Sequence, residues 1–263
     1  MKGLRFLALA VVCLVVFAPF ASSQPLKYLE VVTISVRPGA APQFEDYIKK
    51  IVEAANKVGV AETWSTGQIE LGLPANTYSV TLQFDKWAER DAWTPYPEYL
   101  AKAFGDAEAA KIMRTGEATI QSLDTIVLET LPELSVNLEG AELNAFYWVR
   151  RDQVKPSGIE DFRIFISKLK EAEDQVGDGR IRVRRASAVG PVWTYSTAIG
   201  FDKWSERDLS GPTFMEMMNK THGEAETAKL LEMVRSSITG SDIFILRMRP
   251  DLSRTKSAGS TTD

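Results

Sequence analysis

The chain has very little of the chemistry that disulfides, zinc sites and nucleophilic catalysis need. Its 263 residues contain one cysteine, Cys13, and one histidine, His222. An intrachain disulfide and a cysteine-based zinc site are therefore excluded, and one imidazole with carboxylates is a poor donor set for zinc. Phosphate-binding loops, dinucleotide-binding glycine motifs, G-x-S-x-G and H-E-x-x-H are absent as well. The sequence predicts no cofactor and no metal, and it identifies no catalytic residue.

A surplus of basic residues is also absent. Lysine and arginine number 31 against 35 aspartate and glutamate, which gives a formal net charge of −4. An acidic chain is repelled by a phosphate backbone, so we expect no nucleic-acid partner.

The one long apolar run lies at the N-terminus. Lys2 and Arg5 precede an apolar run at 6–17, and Ala21-Ser22-Ser23 places small residues before Gln24. This order is typical of a secretory signal peptide. The alternative is a retained membrane anchor, but the run is shorter than the ~20 residues that span a bilayer. We expect residues 1–23 to be removed and the mature protein to be periplasmic or extracellular, without membrane association.

An eight-residue phrase occurs twice. Phe-Asp-Lys-Trp-Ala-Glu-Arg-Asp at 84–91 returns at 201–208 with one difference, Ala88 against Ser205. Other residues recur 118 positions apart, among them Phe44/Phe162, Ile48/Ile166, Asp124/Asp242 and Pro132/Pro250. This pattern predicts a duplicated unit of about 110 residues.

Hydrophobic periodicity predicts the elements of each unit. In the first, strands at 28–36, 64–71, 77–84 and 125–130 alternate with helices at 42–58 and 106–120, in the order β-α-β-β-α-β. The order restarts at 146–149 after a linker at 132–144. We thus predict repeats at 24–131 and 145–250 and a disordered tail at 251–263.

This order of elements, the repeat length and the Phe-Asp-Lys-Trp phrase resemble the dimeric α/β-barrel superfamily, in particular its NIPSNAP-like and antibiotic-biosynthesis-monooxygenase-like domains. The resemblance implies an α+β fold in which two tandem ferredoxin-like βαββαβ repeats form an intrachain dimeric α/β-barrel. It also implies an enclosed pocket. The superfamily includes enzymes and proteins without known activity, so the fold alone assigns no function.

Aromatic side chains on the predicted strands are candidates for the wall of such a pocket. They are Trp64, Tyr78, Tyr147, Trp148, Trp193 and Tyr195. The alternative role for each is ordinary core packing.

Three arginines alternate along one predicted strand. Arg180, Arg182 and Arg184 share one face because side chains alternate along a strand. They form an anion site if that face lines the barrel, or a solvated stripe if the strand is at an edge.

His222 and the repeated acids are further candidates. Haem-binding and chlorite-processing relatives use an axial histidine, so the resemblance implies a haem ligand at His222; the alternative is a loop histidine at a helix start. Asp85/Asp202 and Glu89/Glu206 resemble paired acids, but their spacing favours a helix cap and a first-turn acid.

These observations predict an exported protein of unestablished activity that binds a small ligand between its two repeats, as a monomer or dimer. The alternative is a cofactor-independent monooxygenase-type or haem-binding enzyme of the same superfamily.

Overall fold

The computed structural model describes residues 26–138, 143–208 and 211–255, so the predicted signal peptide and residues 256–263 lie outside the described ranges. The strands are β1 (Tyr28–Val36), β2 (Trp64–Leu71), β3 (Thr77–Phe84), β4 (Ile120–Thr130), β5 (Phe146–Val154), β6 (Val183–Val189), β7 (Thr194–Phe201) and β8 (Ile238–Met248). The helices are α1 (Ala41–Val58), α2 (Tyr96–Phe104), α3 (Asp106–Glu117), α4 (Ile159–Val176), α5 (Phe214–His222) and α6 (Glu224–Ser237).

The eight strands form a closed antiparallel barrel in the order β1-β3-β2-β8-β5-β7-β6-β4. Two pairings, β2 with β8 and β4 with β6, join the group β1–β4 to the group β5–β8. The order of elements from β1 to β4 recurs from β5 to β8, with one additional short helix in each half. The α+β class and the barrel predicted from the sequence are confirmed.

The helices cover the outside of the barrel because each has one apolar face. In α1, Phe44, Ile48 and Ala55 are buried against the strands, and the helix ends at Gly59 in the left-handed conformation that glycine adopts without strain. Phe162 and Ile166 of α4 do the same in the second half. None of the helices in the described ranges is long and apolar enough to cross a bilayer.

The repeated eight-residue phrase connects the end of one strand to the start of another. The carboxylate of Asp85 accepts a hydrogen bond from the backbone N–H of Lys27, just before β1, and Asp202 accepts one from Ala145, just before β5. The predicted helix cap is therefore wrong for the aspartate. Glu89 takes that role instead, accepting from the Lys86 N–H at the start of a short 3₁₀ turn.

The segments that follow β4 and β8 are packed against the other half of the barrel. After a 3₁₀ turn at Pro132–Leu134, Val136 pairs with Arg182; after the turn at Pro250–Leu252, Arg254 pairs with Trp64. Residues 132–136 are thus part of the packed structure. The predicted disorder is wrong for residues 251–255, because backbone pairing holds a segment that has few apolar side chains.

Candidate functional site

The interior of the barrel contains a cavity of about 600 Å³ that is partly open to solvent. Inward-facing residues alternate along every strand, as the period of two requires, and the exposed side chains of Leu26 and Leu143 border the cavity. Its wall is mostly apolar, with contributions from Leu29, Val31, Ile69, Ile126, Leu128, Val149, Val183, Ala198, Phe244, Leu246 and Met248. This size and composition are those of a small-molecule site.

Arg185 is the most deeply buried charged group of the wall. It lies on β6 and is 8% exposed. Its Nε has no hydrogen-bond partner, and no carboxylate of the described ranges forms an ion pair with its guanidinium. A buried charge is normally paired, since removing an ion from water costs several kcal/mol. Burial lowers the pKa of Arg185 to about 10, so the side chain remains a cation at neutral pH.

Two polar residues border the same space. Ser196 on β7 is directly opposite Arg185, and residues opposite each other in a sheet share a face. Tyr147 on β5 also lines the cavity, and its hydroxyl accepts a hydrogen bond from the Asn144 N–H. Burial raises the pKa of Tyr147, so this phenol is neutral at neutral pH and does not balance the guanidinium.

A second arginine extends this polar side of the wall. Arg151 on β5 is directly opposite Ser196, so Arg151, Ser196 and Arg185 form one row across three strands. Arg151 has a counter-ion, because its Nε lies 3.9 Å from Oδ2 of Asp242, and its guanidinium lies 5.6 Å from the ring centre of Phe244. The cavity therefore has two cations on one side, of which one is paired.

Of the predicted site residues, Trp64 and Tyr78 border the cavity, but both direct their polar atoms elsewhere. Trp64 donates from Nε1 to the Leu252 carbonyl at 3.2 Å. The ring of Tyr78 lies 4.7 Å from that of Phe44 on α1, and its hydroxyl donates to Glu45 at 2.8 Å. These two residues contribute to core packing as well as to the cavity wall.

The other predicted aromatic residues lie outside the cavity. Trp148 is stacked beneath the guanidinium of Arg207, 5.7 Å from its ring centre. Tyr195 packs against Phe162 of α4, with ring centres 4.7 Å apart, and Trp193 lies in the same helix-facing core at a positive φ of 58°. Because Tyr147 and Trp148 are adjacent on β5, only one of them can face inward, and it is Tyr147.

Arg182 and Arg184 face the helices and are ion-paired there. Arg184 donates to both carboxylate oxygens of Glu173 on α4, at 2.9 and 2.7 Å, and Arg182 lies 3.1 Å from the same carboxylate. Neither residue lines the cavity, and β6 is no edge strand because β4 and β7 bond it on both sides. The two arginines hold α4 against the barrel.

His222 ends α5 and is bonded to a neighbouring helix. Its Nε2 lies 2.8 Å from the carbonyl oxygen of Lys168 on α4. The ring does not line the cavity, so the donor set of the barrel interior does not fit a histidine-ligated haem. Within the described ranges, no three side chains of His, Cys, Asp or Glu converge to hold a metal ion.

A smaller cavity of about 240 Å³ lies outside the barrel beside Glu62, Trp93 and Tyr99. The Glu62 carboxylate accepts a hydrogen bond from the Thr94 N–H on one oxygen, and its other oxygen has no partner in the described ranges. This space is too small for most organic ligands.

Sequence reasoning missed Arg185, although the signal was present. Ile181, Val183 and Arg185 alternate with the three predicted arginines, and they form the inward face. Because side chains alternate along a strand, the sequence already places Arg185 on the face opposite to that of Arg184, and this is the face that lines the cavity.

No family model and no curated protein matches this chain. Solved structures with a similar fold do exist. A provisionally named monooxygenase from Lactobacillus acidophilus is 12% identical with a TM-score of 0.50, over 89% of this chain and 97% of that one. Another from Fusobacterium nucleatum is 10% identical with a TM-score of 0.50, over 88% and 95%.

A chlorite dismutase variant from Candidatus Nitrospira defluvii is also similar, at 8% identity and a TM-score of 0.52, over 87% of this chain and 93% of that one. At these identities the likeness shows the fold alone. The dimeric α/β-barrel fold expected from the sequence is confirmed, and the narrower assignments to a NIPSNAP-like or antibiotic-biosynthesis-monooxygenase-like domain stay predictions.

The cavity has a distinct chemical character. Among the described residues that line it there is no aspartate, glutamate or histidine, so it offers no conventional general base. What it offers is a mostly apolar volume in which Arg185 is a buried cation with neither a carboxylate nor a hydrogen-bond partner for its side chain in the described ranges, whereas the guanidinium of Arg254 is bonded to neutral oxygens. This arrangement can bind a ligand and stabilise negative charge on it.

Proposed function

We propose that this protein binds a small, predominantly apolar molecule inside its barrel. The observation that carries the proposal is the cavity of about 600 Å³ with its largely aliphatic wall. Protein interiors are otherwise close-packed, with few voids larger than a water molecule. An apolar volume of this size is therefore expensive to maintain unless a ligand occupies it.

The strand and helix arrangement supports a binding role. The barrel closes through backbone hydrogen bonds on both seams, and the helices pack on its outer surface, so these contacts hold the barrel in shape around an interior that a ligand can fill. When an apolar molecule binds in the cavity, its surface is removed from water, and the favourable free energy is about 25 cal/mol per Å² of apolar surface buried.

A neutral fluorescent probe tests this proposal. N-phenyl-1-naphthylamine carries no charge and brightens in apolar surroundings, so we expect saturable fluorescence on titration into the purified protein. Ala198 lines the cavity and Ala188 is exposed on β6. Ala198→Leu should reduce probe affinity several-fold and Ala188→Leu should not. Equal affinity in the two variants would show that the probe binds elsewhere, and no saturable binding would overturn the proposal.

A second candidate is an oxygenase reaction in the same cavity. Two structures with this fold carry provisional monooxygenase names. An unpaired guanidinium at Arg185 would stabilise the anion of a phenol or quinol, and such anions are electron-rich. Oxygen uptake with a panel of phenols and quinols distinguishes the candidates, because a binding protein returns the ligand unchanged. Uptake no faster than with heat-denatured protein counts against the oxygenase.

Export and the origin of the two halves are separate proposals. The N-terminal segment supports cleavage before Gln24, and the intact mass of protein purified from its host tests this. The recurrent order of elements, together with the residues 118 positions apart, supports an origin by duplication. Since one chain closes the barrel, we propose a monomer in solution, which light scattering tests.

A further inference from the structure

Arg185 is a cation without a counter-ion in a cavity whose wall is mostly apolar. Its guanidinium has no ion-pair partner in the described ranges, and its Nε makes no hydrogen bond. The adjacent Arg184 also has an Nε without a partner, but it faces outward, donates to both carboxylate oxygens of Glu173 and so has a counter-ion. No residue in the described ranges therefore offsets the free-energy cost of burying the charge of Arg185.

Three carboxylates of α4, β5 and β8 are engaged with other groups. Glu173 binds Arg182 and Arg184 on the outer face of β6. Asp242 lies beside Arg151, and Asp152 accepts from Arg150 at 2.9 Å. None of these acids lines the cavity.

We propose that the natural ligand is an amphipathic carboxylate whose apolar body fills the cavity and whose carboxylate group pairs with Arg185. This inference rests on the proposed function, because it names the class of ligand for the same cavity. The guanidinium is a planar fork that matches the two oxygens of a carboxylate. Ser196, opposite Arg185, places a hydroxyl on the same wall as a further donor.

The distribution of charge favours a single anionic group over a neutral ligand. A neutral ligand would leave the buried cation unpaired, whereas a carboxylate supplies the missing counter-ion in surroundings of low dielectric constant. Arg151, whose partner Asp242 is 3.9 Å away, adds positive potential from the same row. The apolar side chains across the cavity contact the body of the ligand.

Decanoic acid and methyl decanoate form the test, because they share the apolar chain and differ in charge. Each competes against N-phenyl-1-naphthylamine on the purified protein at neutral pH, below the micelle concentration. We expect decanoate to displace the probe at least about tenfold more effectively than the ester. In Arg185→Met that advantage should disappear while the affinity for the ester is unchanged or higher. Arg185→Lys, which keeps a cation without the fork, should retain part of it.

Arg247→Met is the matched control. Arg247 is on β8, pairs with Glu70 at 2.6 Å and faces away from the cavity, so the same substitution removes one charge elsewhere. The control should keep the preference for decanoate.

The outcomes separate the inference from the proposed function. Equal displacement by acid and ester in the wild type overturns the proposal that the ligand is a carboxylate, and so does a preference for the acid that survives in Arg185→Met. Either result leaves the proposal of an apolar ligand standing. Failure of both compounds to displace a bound probe also overturns this ligand class. Failure of the probe itself to bind the protein overturns the proposed function.

Discussion

Arg185 on β6 and Gly67 on β2 occupy equivalent positions in the two halves of the barrel. Each is directly opposite a serine of the next strand, Ser196 for Arg185 and Ser79 for Gly67. The same rows continue to Arg151 in the second half and to Thr33 in the first. The wall formed by the second half thus has the guanidinium groups of Arg185 and Arg151. At the equivalent positions of the first half, Gly67 has no side chain and Thr33 has a hydroxyl.

The first prediction concerns the space beside Gly67. A Cβ at this position would lie 3.3 Å from Cδ2 of Leu246 and 3.4 Å from Sδ of Met248, which are flexible side-chain atoms. Gly67→Leu should therefore fold and fill part of the cavity, lowering affinity for the neutral probe by at least about tenfold.

Gly240→Leu is the matched control for this variant. A Cβ on Gly240 of β8 would meet nothing within 4 Å, so the added side chain points into open space. Probe titrations and thermal melts of both variants check the prediction. Full affinity in folded Gly67→Leu would show that ligands bind outside the barrel.

The second prediction compares one substitution at adjacent positions. Arg184→Met leaves the buried Glu173 carboxylate with one arginine fewer and should lower the free energy of unfolding by about 3 kcal/mol. Arg185→Met removes an unpaired buried charge and should raise that free energy by about 1–3 kcal/mol in the ligand-free protein.

Urea unfolding of the two variants without ligand measures both changes. A stability–activity trade-off of this kind is typical of a residue retained for binding. If Arg185→Met were as destabilising as Arg184→Met, Arg185 would have a structural partner, and its role as a ligand-binding cation would be contradicted.

The third prediction concerns acid. Arg249 donates to both oxygens of Glu45 on α1, each at 2.7 Å, and these bonds hold the pKa of Glu45 below its ordinary value of 4.5. A lowered folded-state pKa means that the stabilisation is present above pH 4.5 and is lost as pH falls through the folded value.

Glu45→Gln should accordingly cost about 1 kcal/mol at pH 7, since the pair is partly exposed, and progressively less in acid. Glu108→Gln, which alters an exposed pair with Lys111 on α3, should change little at any pH. Denaturant unfolding from pH 7 to pH 3 provides the measurement. A difference between Glu45→Gln and wild type that does not shrink in acid would contradict the assignment.

The fourth prediction concerns His222. Because its ring bonds to the Lys168 carbonyl, His222→Ala should lower the free energy of unfolding by about 1 kcal/mol and leave probe binding unchanged. Phe104, the corresponding residue of the first half, lies 5.4 Å from the ammonium of Lys50, which corresponds to Lys168. His222→Phe should thus be tolerated better than His222→Ala. A haem absorption band present in wild type and lost in His222→Ala would reverse this interpretation.

The arrangement of elements could be predicted because it depends on local patterns. The β-branched run at 28–36 and the helical stripe from Phe44 to Val58 each indicate one type of element and one buried face. The repeat then limited the topology, since two equal units with open sheets can bury them against each other. The closed barrel itself was implied by the resemblance to the dimeric α/β-barrel superfamily, with which these two patterns agree.

The site could not be predicted to the same extent, because it depends on which face of each strand points inward. Arg184 and Arg185 are adjacent and chemically identical, and a shift of one residue exchanges their surroundings. Their roles are decided by Glu173, a residue of α4 whose position relative to β6 no local pattern contains. Tyr147 and Trp148 pose the same problem on β5.

The pairing of β2 with β8 has a consequence for how the chain folds. Trp64 at the start of β2 reaches Leu252 through a hydrogen bond that spans 188 residues, and Arg254 completes the same contact. Such long-range contacts form slowly, because a large loop must close before they contribute. When only β1–β4 of the growing chain have been synthesised, their sheet has two unpaired edge strands and an uncovered apolar face. Aggregation therefore competes most strongly with folding in the interval before β8 has been synthesised.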